Sequence, residues 1–206
     1  MENAAALPIP IFSIASILLA VLITDLKKYK LSFIGLYFLF LISLSYWAYP
    51  NWVHYTFDTE NPIYKDFPKE LVLYDENGII YDLTKNKGKV IVLDLWSTAC
   101  GVCIKKFPDF EKQKNRYKNN PNVKFFVVNL ALKRDSTINV KKYVKDYSFK
   151  TLYTDSNSWQ ILENRSVPKI LIINKELKIV YKGIMLDKKF DFYKNFNTII
   201  NKLLNE

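Results

Sequence analysis

Two long runs without a charged side chain, 7–23 and 31–49, stand at the head of this chain and constrain it more than any other feature. As helices they reach roughly 25 and 28 Å, slightly under the ~30 Å hydrocarbon core of a bilayer. Local thinning of the bilayer or fraying into its interface closes such a gap. Pro8 and Pro10 open the first run, where a helix tolerates proline best. Residues 1–50 are therefore expected to form a transmembrane helical hairpin. Before residue 51 the only charged side chains are Glu2, Asp25, Lys27, Lys28 and Lys30. The three lysines occupy the link between the runs, so the positive-inside bias places that link in the cytoplasm and both outer ends across the membrane. Tyr46, Trp47, Tyr49, Trp52 and Tyr55 suit a membrane–water interface, and His54 reads as one more interfacial side chain. No basic stretch precedes the first run, which argues against a cleaved signal peptide. A soluble hairpin fits less well, because uninterrupted apolar runs of this length are uncommon in soluble domains.

Residues 51–206 hold nearly all of the net charge of +10. Five glycines, eight prolines and 16% aromatics exclude collagen-like, low-complexity and disordered classes, since such a chain can bury enough apolar area to offset its ordering entropy. Two cysteines cannot staple a disulfide scaffold, and with one histidine they are too few for a four-ligand zinc site unless carboxylates complete it. No metal or bound cofactor is expected. The lysines are dispersed and no reading motif accompanies them, so nucleic acid is not expected as a partner.

Asn61, Pro62 and Pro68 mark a linker over 51–67, leaving 68–206 to fold. Asn77-Gly78 between residues 71–75 and 79–83 predicts a hairpin. The apolar stretches 89–96 and 123–130 predict strands buried on both faces, and 151–154 reads as extended. Residues 169–174 and 178–182, joined by Lys175-Glu176-Leu177, predict an antiparallel pair. Helices are expected over 104–117, 138–147, 157–164 and 187–204. Strands alternating with helices imply an α/β layered sheet.

Cys100-Gly101-Val102-Cys103 falls where a buried strand gives way to a helix. The first thiol meets the unpaired amides and positive dipole end of that helix, which favours the thiolate. Cys103, in the first helical turn, can attack a mixed disulfide formed at Cys100. A purely structural staple over so short a loop would add only about 2 kcal/mol. Cys100 thus reads as nucleophile and Cys103 as resolving thiol. The neighbouring Lys105 and Lys106 read as a solvated helix face.

The stretch from Leu93 to Cys103 resembles the active-site strand and helix start of thioredoxins. The preceding hairpin, Pro108, and the extra helix and strand between 138 and 154 resemble the TlpA/ResA-like branch of that superfamily, over about residues 60–205. The resemblance implies a thioredoxin-like fold, a central mixed sheet flanked by helices, and a membrane-anchored thiol–disulfide oxidoreductase. It places the domain on the periplasmic, extracytoplasmic side of a bacterial cytoplasmic membrane, with protein thiols and disulfides, a membrane electron donor and the lipid bilayer as partners. Asp94 matches the buried acid six residues before the first cysteine, and Val167-Pro168 matches the cis-proline loop facing the disulfide. A carboxyl buried near Cys103 should have a raised pKa, suiting Asp94 to relay a proton from the resolving thiol. Trp96, Val167 and Pro168 are expected to bind substrate. Three departures stand out: Ala99 where the family usually has tryptophan, Val102 where proline is common, and Lys106 where this branch often has glutamate. Reduction of partner disulfides is the expected activity; a disulfide-forming oxidase and a non-enzymatic binding module are the alternatives.

Overall fold

The computed structural model describes residues 8–25, 29–49, 51, 64–132, 135, 137–164, 166–185, 193 and 195–206. The strands β1 (Lys65–Asp66), β2 (Val90–Trp96), β3 (Val123–Asn129), β4 (Lys150–Tyr153), β5 (Lys169–Ile173) and β6 (Lys178–Gly183) form one six-stranded sheet in the order β1-β6-β5-β2-β3-β4. The sheet is mixed. β2 runs parallel to β3, with Val90 beside Val123, and antiparallel to β5, with Ile91 beside Ile173. All seven residues of β2 are buried, as a central strand covered on both faces requires.

Side-chain alternation divides the core into two clusters. Val90, Val92 and Trp96 face one side, packing with Cys103, Phe107 and Phe110 of α3 (Gly101–Arg116, after the two N-terminal helices given below). Ile91, Leu93 and Leu95 face the other, with Leu71, Leu73, Leu83 and Leu162. Asp94, between Leu93 and Leu95, therefore belongs to the α3 side. The chain continues through α4 (Thr137–Val144), the single turn α5 (Ser158–Ile161) and α6 (Phe196–Asn205), whose Phe196 and Ile200 complete the α3-side cluster.

The sheet begins earlier than expected: Lys65 and Asp66, read as linker, pair with Ile179 and Lys178. The Asn-Gly hairpin is smaller than expected. Tyr74 bridges Ile80, and Tyr81 N–H bonds to Leu73 carbonyl at 2.7 Å. Gly78 sits at φ +77°, the left-handed region that favours glycine, while the Asp75 carboxylate accepts from the Asn77 and Ile79 amides. The second arm stops because Asp82 caps a 3₁₀ turn, Leu83–Asn86, accepting from the Thr84 amide at 2.9 Å. Tyr74 pairs on its other side with Tyr153, fastening the short hairpin to β4. The active-site helix starts at Gly101 rather than at 104, and the helix expected over 157–164 is the single turn α5. Of the terminal helix, α6 confirms the second half; 187–192 lie outside the described residues.

The chain divides into two units, the other being N-terminal. It contains α1 (Pro8–Asp25) and α2 (Lys30–Ser43), the latter continued by a π-helical turn, Leu44–Ala48. Ser16 Oγ and Tyr37 OH are hydrogen-bonded at 2.9 Å between the two helices. Among the described residues one helix, Leu31–Ala48, is long and apolar enough to cross a membrane. Tyr46 and Trp47 are exposed; Lys27, Lys28, Trp52, His54 and Tyr55 lie outside the described residues.

Candidate functional site

The chain leaves β2 through Ser97, Thr98 and Ala99 and enters α3 at Cys100, which occupies the N-cap position. Cys100 and Cys103 are joined as a disulfide, their Cα atoms 5.3 Å apart. Cys103 N–H donates to Cys100 Sγ at 3.2 Å, so an amide of the helix start points at the first sulfur. The same amide also donates to the Cys100 carbonyl at 3.1 Å, so it is shared between the sulfur and the backbone. Cys103 is fully buried and Cys100 lies at the edge of the surface, at 9% exposure. Cys100 is thus the outer sulfur of the pair and Cys103 the inner one.

Asp94 and Lys106 meet beneath this helix. Lys106 Nζ donates to Asp94 Oδ1 at 2.8 Å, and both side chains are almost wholly shielded from solvent. Tyr193 OH approaches Asp94 Oδ2 at 3.5 Å, and Lys106 Nζ lies 5.6 Å from the centroid of the Tyr193 ring. Burial raises the Asp94 carboxyl above its ordinary range, and the Lys106 ammonium pulls it partway back. Burial, then the Asp94 charge, pushes the Tyr193 hydroxyl well above its usual value. The reading of Lys106 as a solvated side chain is therefore corrected; Lys105 alone is exposed. The helical period was the missed signal. Cys103, Lys106, Phe107, Phe110 and Gln113 form one buried stripe on α3, and Lys106 stands three residues after Cys103 and four before Phe110.

The Val167–Pro168 peptide bond is cis. Pro168 is buried, and Val167 is half-buried and packs against the cluster that holds both cysteines. Trp96 is another matter. It is fully buried, edge-to-face with Phe107 and Tyr143, so it supports the core under the site and has no surface to offer a substrate. Its expected substrate-binding role is withdrawn. Beside Cys100 in the chain, Ala99 and Val102 are exposed, the latter at 48%.

A further brace escaped the sequence reading. Thr98 Oγ1 donates to Asp135 Oδ1, and Asp135 Oδ2 accepts from the Leu132 amide at 3.0 Å, tying the cysteine loop to the segment after β3. Nothing local to Asp135 in the sequence signals a partner 37 positions away. Among the described residues no group of three or more His, Cys, Asp or Glu side chains is placed to hold a metal ion.

Comparison with known proteins matches residues 64–195 to the Redoxin family model. The chain belongs to the Redoxin family. The chain is 31% identical over 129 residues to thiol-disulfide oxidoreductase ResA of Bacillus subtilis, spanning 60% of this chain and 70% of that one. Against a ResA of Bacillus cereus the identity is 32% over 117 residues, 55% and 65% of the respective chains. Among solved structures, the thioredoxin domain of a thiol-disulfide oxidoreductase from Bacteroides vulgatus superposes with a TM-score of 0.51 at 20% identity, covering 64% of this chain and 91% of that one. A thiol:disulfide interchange protein from Bacteroides sp. gives 0.51 at 21%, covering 64% and 86%. These structures share the thioredoxin-like fold with this one. The Redoxin domain here is thus a ResA-like, thioredoxin-superfamily thiol–disulfide oxidoreductase.

Proposed function

We propose that this oxidoreductase is anchored by an N-terminal transmembrane hairpin and reduces disulfides of partner proteins outside the cytoplasm. The observation that carries the chemistry is the pair Cys100–Cys103 at the start of α3, with the Cys103 amide directed at the outer sulfur and the inner sulfur buried. In the forward step the Cys100 thiolate attacks one sulfur of a partner disulfide, forming a mixed disulfide and expelling the other partner sulfur as a thiolate. Cys103 then loses its proton to Asp94 and attacks Cys100. The mixed disulfide breaks, the second partner thiol is released, and two electrons have passed to the partner as the Cys100–Cys103 disulfide closes. The partner backbone is read as docking beside Val167 and Pro168 by strand addition. No protein cofactor takes part in this scheme. A membrane electron donor must restore the dithiol, since an oxidising compartment offers no ready thiol pool.

The membrane reading rests on the apolar runs 7–23 and 31–49 and on the lysines between them. A reporter fused after Glu206 is expected to be active outside the cytoplasm and one at Lys28 inside; the reverse pattern overturns the topology. Cys103→Ser should trap partners as mixed disulfides, and Cys100→Ala should abolish both trapping and activity. Activity surviving Cys100→Ala would mean a binding module. A measured reduction potential near the strongly oxidising end of the superfamily would replace the reductase by an oxidase, each 30 mV corresponding to about 1.4 kcal/mol.

A further inference from the structure

Burying a lysine beneath a redox-active helix is costly, and this chain does so on the stripe that also carries its resolving cysteine. Cys103 and Lys106 are three residues apart on the inward face of α3, both fully buried. Asp94 reaches the same cluster from β2 and accepts from Lys106 at 2.8 Å. Tyr193 closes the pocket from the segment before α6, its hydroxyl 3.5 Å from the other carboxylate oxygen. Among the described residues this cluster also holds Cys100 and, at its margin, Tyr117, Tyr143, Tyr147 and Tyr153, while Asp109 acts on Tyr193 from α3. Tyr181 of β6 belongs to the same cluster, and its hydroxyl accepts from the Met185 amide. Lys169 of β5 is opposite Leu95, which faces the other cluster.

We propose that Lys106 is a positioning residue for the resolving step: its ammonium holds the net charge of the pocket at zero while a proton passes from Cys103 to Asp94. The inference rests on the dithiol reading above and deepens it. Before the transfer the pocket holds a carboxylate, an ammonium and a thiol. Afterwards it holds a carboxylic acid, the same ammonium and a thiolate. The Cys103 S–H bond breaks, the proton binds an Asp94 oxygen, and the thiolate electron pair forms the bond to Cys100 as the partner sulfur leaves. Without Lys106 the pocket would hold one uncompensated negative charge throughout, which low-dielectric surroundings penalise. Its easiest relief is to protonate Asp94, and that removes the acceptor. One cation therefore serves two anions in turn. Charge is the property required, so arginine should substitute and methionine should not.

The test uses the reduced full-length protein in detergent, mixed with 5,5′-dithiobis(2-nitrobenzoate). Cys100 displaces the first thionitrobenzoate, and Cys103 displaces the second by closing the disulfide. The rate of the second release is followed against pH. Lys106→Met should move its midpoint up by about one pH unit and slow it about tenfold at neutral pH. Lys106→Arg should keep the wild-type profile. Coincidence of the Met and wild-type profiles overturns the inference, and so does an Arg profile displaced as far as that of Met. If Lys106→Met fails to fold by circular dichroism, Lys106→Gln is compared with Lys106→Arg in its place. A raised midpoint in the Gln variant alone supports the inference, and equal midpoints overturn it. If the wild type gives no second release, the dithiol reading itself fails; if it does and Lys106→Met is unchanged, only the role of Lys106 fails.

Discussion

Two lysine–carboxylate pairs in this protein share a geometry and differ in surroundings. Lys106 and Asp94 meet at 2.8 Å with side chains 0% and 1% exposed, whereas Lys65 and Glu163 meet at 2.6 Å with 55% and 70% exposed. Contact distance would rank the surface pair first. Environment reverses the order, because water screens the outer charges while the inner ones have surrendered their hydration and depend on each other. The cost of leaving a charge without its partner, rather than the net gain from the pair, is what separates the two sites. A buried pair is thus weak as a stabilising device and strong as a constraint, and its place beneath the cysteine helix agrees with a chemical use.

The largest effect should come from breaking the inner pair on one side. Lys106→Ala leaves Asp94 without its ammonium and is expected to cost about 3–5 kcal/mol in urea unfolding. The loss should depend on pH. A carboxyl whose folded value lies above its unfolded one of 3.8 contributes stability below that unfolded value and loses it as pH rises through the folded one. Removing Lys106 raises the folded value further, so the difference from wild type should be greatest near neutrality and shrink on acidification. A deficit independent of pH would mean lost packing rather than charge, and the contrast between the two pairs would lose its basis.

The next effect sharpens the same contrast. Asp94→Leu/Lys106→Met removes both charges and keeps apolar volume in the pocket, and replacements of this kind are often neutral or stabilising. The double variant should be at least as stable as either Asp94→Leu or Lys106→Met alone while failing to close its disulfide at a normal rate. If instead the two single losses add, the charges are not coupled through each other.

How much of this could be read beforehand follows the range of each signal. The buried strands Val90–Trp96 and Val123–Asn129 were legible because their apolar runs are continuous. The placement of Cys100 at a helix start followed from the strand before it. Local chemistry fixed these features, and local chemistry is what sequence displays. Lys106 was misread because a lysine suggests solvent, although its spacing from Cys103, Phe107 and Phe110 puts it on the inward stripe. Trp96 was misread for the complementary reason: it adjoins the active-site loop in sequence, but strand alternation turns it into the core. The Thr98–Asp135 brace and the approach of Tyr193 to Asp94 depend on where distant segments return, across 37 and 99 positions, and no nearby residue announces them.

Glu111 is an intermediate case that grades the contrast. Its carboxylate accepts from both the Ser148 hydroxyl and the Ser148 amide at 2.6 Å, and the hydroxyl bond is the main reason its carboxyl lies below the ordinary value. Stability from such a group is present above its unfolded value and lost as pH falls through the folded one. Glu111→Gln should therefore cost no more than about 1 kcal/mol at neutral pH, given solvent screening. The difference should disappear in acid, as the Lys106→Ala deficit also shrinks there, but it should be several-fold smaller because water screens this carboxylate. A deficit as large as that of Lys106→Ala would show that burial does not set the size of the effect.

The smallest effect is expected at Lys65. It stands on the two-residue edge strand β1, and its partner Glu163 is mostly in water. Lys65→Met keeps the aliphatic stem and deletes only the charge, so its urea midpoint should match that of wild type. Should it fall, repeating the measurement in 1 M salt identifies the cause, because screening there extends to about 3 Å. A loss that vanishes in salt would show that a well-aligned exposed pair can stabilise an edge strand, narrowing the gap from the inner pair. A loss that persists would not come from the ion pair, and the surface charges would still contribute nothing that solvent does not already provide.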